Sequence, residues 1–99
     1  VAEAVPTLID MVADAVRDVD AADALGVLAA GPDTAERIAT ALVERLADTT
    51  LDAPARRRLT QALADIPGPT ATRALGELAE DGDRGVAVTA VYLLGLRGR

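Results

Sequence analysis

Aliphatic residues recur every three or four positions along most of this chain, the spacing that gathers them on one side of an α-helix. Val5, Ile9, Val12 and Val16 follow one another at steps of four, three and four and predict a first helix. Pro6 is tolerated there, because the first turn has no internal partners for its N–H groups. A second helix, over about residues 20–30, carries Ala24, Leu25 and Leu28 and stops at the helix-ending pair Gly31-Pro32. The third has Asp33 or Thr34 as cap, Glu36 in its first turn, and Ile38, Leu42 and Leu46 on one face, with its end near Asp48-Thr49-Thr50. The fourth begins after Asp52 and runs through Leu59, Leu63 and Ile66 to Pro67-Gly68-Pro69. A fifth, at about 70–80, carries Ala71, Ala74, Leu75 and Leu78. Asp83 then caps a sixth that runs to about Leu96, before Gly98. No segment alternates with period two, so no strands are predicted.

Six helices joined by short turns make either a compact bundle or a stack of helical hairpins, and internal repetition favours the stack. TLIDMVAD (7–14), ALVERLAD (41–48) and ALGELAED (74–81) superimpose at the first helix of each pair, 34 and 33 residues apart. ALGVL (24–28), ALADI (62–66) and YLLGL (92–96) match in the second helices, each with a leucine second and an aliphatic residue fifth. A non-repeating helical bundle is the competing arrangement. Tetratricopeptide repeats fit less well, because their aromatic positions are empty here, and ankyrin repeats fit less well for lack of histidine.

The segment Asp52-x-x-Ala55-Arg56-x-x-Leu59-x-x-Ala62-Leu63-x-x-Ile66 resembles the second helix of a HEAT-like repeat of the PBS-lyase type. Asp83-x-x-Val86-Ala87-x-x-Ala90-x-x-Leu93-x-x-Leu96 is similar, with Ala87 where the family has arginine. Asp14, Arg17, Asp18, Ala21 and Leu25 fall in register in the first repeat, with an acid at the arginine position. The resemblance implies an all-α fold, a short right-handed α–α superhelix of about three hairpins over residues 3–31, 33–68 and 69–98. It also implies that Arg56 points at a neighbouring repeat and pairs with an acid there, Asp83 being one candidate. Some members of the group are enzymes acting on DNA bases or bilin chromophores, but the aromatic and basic residues a DNA-base enzyme needs are missing.

Composition narrows the chemistry. The 99 residues form a single domain, with 22 alanines and no Cys, His, Trp, Phe, Lys, Ser or Asn. Disulfides, thiolate metal sites, imidazole bases and Ser–His nucleophiles are therefore out of reach. A net charge of −6 and a single aromatic residue, Tyr92, argue against nucleic acid and against anionic membrane as partner. No signal peptide is visible and no apolar run is long enough to span a bilayer, so the cytoplasm is the default expectation. The chain begins at Val1, without an initiator Met, and reads as part of a longer protein.

Carboxylates are plentiful, but at helix ends and on polar faces, where they cap and solvate. Asp18, Asp20 and Asp23 lack the remaining ligands of a calcium loop. No catalytic, metal or cofactor site is assigned. Arg56-Arg57-Arg58 is the basic cluster, and successive residues turn about 100° around a helix, so the three cannot share a face. Arg57 and Arg58 are expected to be exposed, and with Arg84 they line the groove of the second helices. Residues 1–31 hold six acids and one arginine, whereas residues 69–99 hold four of each.

From Gly85 to Leu96 twelve residues carry no charge. A helix apolar on every face is buried on every face, yet a terminal repeat needs a polar outer side. Val86, Ala90 and Leu93 are the expected inward set, leaving Val88, Val91 and Leu94 uncovered. Those three predict contact with a further repeat or a second copy of the chain through residues 85–96, unless the domain wraps this helix centrally. The function expected is a non-catalytic protein–protein interaction or scaffold module. The alternative is a structural or oligomerisation segment that packs on a larger enzyme or regulator through its last helix.

Overall fold

The computed structural model describes residues 4–97, which form six α-helices and no strand. They are α1 (Ala4–Ala13), α2 (Asp18–Leu28), α3 (Pro32–Leu46), α4 (Ala53–Ala62), α5 (Pro69–Leu78) and α6 (Arg84–Arg97). Residue 3 and Gly98, with which the first repeat opens and the last closes, lie outside the described residues.

Most helix starts follow their local chemistry. The Asp52 side chain accepts from the Ala55 N–H at 2.9 Å, and Asp83 from the Val86 N–H at 2.8 Å, so α4 and α6 share one capping device. At α3 the expected cap is corrected: Gly31 holds the N-cap position without a side-chain bond, Pro32 opens the helix, and Asp33 and Thr34 are already inside it. At α1 the helix stops at Ala13, because Ala15 and Arg17 both adopt left-handed backbone, with φ of 58° and 50°. Val16 therefore leaves the apolar face and is exposed. The fourth helix is also shorter than its pattern. After Ala62 it tightens into a 3-10 turn over Leu63–Asp65, and Ile66 is extended. Leu63 and Ile66 remain fully buried.

The helices lie in two rows. In one, α1 touches α3 and α3 touches α5; in the other, α2 touches α4 and α4 touches α6. Directions follow from which ends meet. Asp10 and Arg45, both late in their helices, form an ion pair between α1 and α3. The Glu36 side chain lies against Gly68, and Leu46 and Leu78 line one cleft, so α3 and α5 also run parallel. In the second row Arg58 faces Asp18 and Val19, while Asp65 faces Gly26. Arg57 crosses Gly85 at the other side of α4, and Arg97 reaches the carbonyls of Leu63 and Ile66. Thus α2, α4 and α6 are parallel too.

One core runs between the rows. Leu25, Leu63 and Leu93, the second-position leucines of the repeated segments, are all buried. The fifth positions diverge: Ile66 is buried, Leu28 half-buried and Leu96 exposed. The repetition therefore holds at the second position of these segments and is lost by the fifth.

Candidate interaction surface

The arginine cluster divides three ways, as its helical phase requires. Arg56 reaches the turn after α5, where Nη1 and Nη2 each donate to one oxygen of Asp81 at 2.7 Å. The acid opposite Arg56 is thus Asp81 and not Asp83, because the carboxyl of Asp83 turns back to cap α6. The Arg56 bonds hold the Asp81 carboxyl below its ordinary range against the opposing effect of burial, with the Asp83 N–H adding to them, and Asp81 raises Arg56 in return. Arg57 is exposed and comes within 3.9 Å of Asp83.

Arg58 corrects the expectation that it is free for a partner. It is half-buried, with Nε donating to the Val12 carbonyl at 2.9 Å and Nη2 to the Ala13 carbonyl at 2.7 Å. Those carbonyls end α1 and have no partner within the helix, so Arg58 closes them. The signal lies 45 residues away in the chain, beyond reach of local pattern reading. Arg97 performs a similar task, donating to the carbonyls of Ile66 at 2.9 Å and Gly68 at 3.2 Å.

On α6 the inward set is as the spacing indicates: Val86, Ala90 and Leu93 are buried. Leu94 is a correction, because it is half-buried and packs against the core beside α5. Val88 and Val91 are open to solvent at 58% and 57% of their full accessibility. They are joined by two side chains that their spacing does not single out, Tyr92 at 65% and Leu96 at 47%. Positions 88, 91, 92 and 96 stand three and four apart, so they share one face, with exposed Arg84 at its N-terminal end and Gly95 within it. A run with no charge on any side gives no polar marker of which face is outward, so the pattern alone does not single out Tyr92 and Leu96.

A concavity of about 280 Å³ opens between α3 and α5, floored by Leu46, Ala74 and Leu78 and edged by Arg73 and Glu77. Away from both surfaces, Asp81 and Asp48 are held below the ordinary carboxylate range, Asp81 mainly by Arg56 and Asp48 mainly by the Thr50 hydroxyl. Among the described residues no three carboxylates converge where a metal ion could sit, and no helix is long and apolar enough to cross a membrane. No family model matches the chain, and neither a curated protein nor a solved structure matches it.

Proposed function

We propose that this chain is a non-catalytic protein–protein interaction module, a short α–α superhelix of three HEAT-like hairpins, α1–α2, α3–α4 and α5–α6. Three features support the superhelix: the two parallel rows, the Asp cap shared by α4 and α6, and the common burial of Leu25, Leu63 and Leu93. The function rests on one observation above the others. The outer face of α6 presents Val88, Val91, Tyr92 and Leu96 to solvent together, and a contiguous apolar face on a small soluble domain marks a contact site. Tyr92 is its natural anchor, since an aromatic ring gives large contact area with few rotors to freeze. Packing on a larger assembly through α6 would use the same face.

The test is photo-crosslinking in the host cell, with benzoylphenylalanine placed at Tyr92 or, as control, at exposed Thr40 of α3. A discrete adduct from position 92, lost when Val88→Glu is added, is the expected result. Equal labelling from both positions, or none from 92, would sink the reading.

A further inference from the structure

The apolar face of α6 has a complement on the same molecule, at the opposite end of the same row. On α2, Val19 and Val27 are open to solvent at 69% and 75%, and Asp20 and Asp23 stand between them. Positions 19, 20, 23 and 27 fall within about 100° of the helix circumference, so they form one face. The two faces differ in charge. From Arg84 to Arg97 there is no acid at all, whereas the first 31 residues hold six acids against one arginine. Asp23 makes no ion pair among the described residues, and Arg84 makes none either.

Two copies meeting α6 to α6 would bring arginine towards arginine with no carboxylate on either helix. An α2 face laid on an α6 face instead sets Asp23, which makes no ion pair among the described residues, near Arg84 around a valine-rich contact, while Asp20 keeps its own pair with Arg17.

Resting on the interaction reading above, we propose that the occupant of the α6 face is the α2 face of a second copy, so that chains associate head to tail. Such a contact is heterologous: it leaves one α6 face and one α2 face free at the ends, and it adds chains beyond two unless a ring closes. One helix face per partner falls short of the roughly 800 Å² that stable complexes bury on each side, so association belongs to high concentration, on the order of 100 μM and above.

Light scattering behind a sizing column tests this with the 99-residue chain and two variants, Val91→Glu and Val27→Glu. Both positions are exposed, and circular dichroism at each concentration confirms that the variants keep their helices. The wild type should gain mass with concentration and pass that of a dimer, while each variant alone stays monomeric. An equimolar mixture of the two variants should form a one-to-one pair and stop there, since only one competent junction remains. A wild-type dimer abolished by Val91→Glu and untouched by Val27→Glu would overturn the head-to-tail arrangement while leaving the α6 contact face intact. A wild type monomeric at every concentration, or a discrete crosslink from position 92 to some other protein, would overturn self-association as such.

Discussion

Arg56 and Asp81 meet in a two-pronged pair, each guanidinium nitrogen 2.7 Å from its own carboxylate oxygen, across 25 residues of chain. The pair ties the start of α4 to the turn between α5 and α6, and both side chains are largely buried, 24% and 15% exposed. Replacing Asp81 by Asn leaves a guanidinium without its counter-charge, which should cost about 1–3 kcal/mol. Arg56→Lys should cost nearly as much, because an ammonium cannot match both oxygens. Urea unfolding with an unchanged slope is the check; a loss below about 0.3 kcal/mol for both would deny the pair a stabilising role.

The same pair fixes an acid dependence. Asp81 has a carboxyl depressed in the folded state, so the unfolded chain takes up that proton first. Its contribution is therefore complete above the ordinary value of 3.8 and is lost as pH falls through the depressed one. The stability gap between wild type and Asp81→Asn should stay constant from about pH 7 to 5 and narrow below about pH 4. A gap that closes near neutrality would assign the effect to another group.

Arg58 is a fastening of α1, so Arg58→Met, which keeps the stem and removes the donors, should cost about 1–2 kcal/mol. The loss should be uneven. Hydrogen exchange should accelerate most in α1 and the turn after it, while α5 and α6 change little. Uniform acceleration would mean that Arg58 supports the whole core.

The two ends of the repeated YLLGL segment should respond in opposite ways. Leu93→Ala removes a buried side chain and should cost about 2–5 kcal/mol, whereas Leu96→Ala, half open to solvent, should stay within about 0.5 kcal/mol at concentrations where the chain is monomeric. Thermal midpoints compare them directly. Similar losses would make Leu96 a core residue.

Gly68 has φ of 108°, and a Cβ there would stand 2.8 Å from Glu36 Oε1. Gly68→Ala should destabilise by about 1–3 kcal/mol through backbone strain, with Glu36→Ala recovering little of it. Full recovery in the double variant would assign the cost to the clash.

What the sequence made legible follows the range of the forces involved. The start of α4 after Asp52, the Asp83 cap and the inward set Val86, Ala90 and Leu93 are written in residues one to four apart. The early stop of α1 is not, because Ala15 and Arg17 take left-handed backbone that neither residue type advertises. Nor are Arg58 and Leu94: one is decided by the end of a helix 45 residues back, the other by how closely α5 leans on α6. Val88 and Val91 were legible as an outer face, and Tyr92 and Leu96 complete it only once the neighbours of α6 are in place.

Arg58 and Arg97 bind carbonyl oxygens where Arg56 binds a carboxylate, and the difference matters away from neutral pH. A peptide carbonyl has no proton to gain in the range that strips a carboxylate. Acid therefore attacks the joint between α4 and the turn before α6, while the clasp of α4 on α1 and that of α6 on the turn before α5 keep their chemistry. Once acid has protonated Asp81, the start of α4 is free of that turn, while the carbonyl contacts of Arg58 and Arg97 persist.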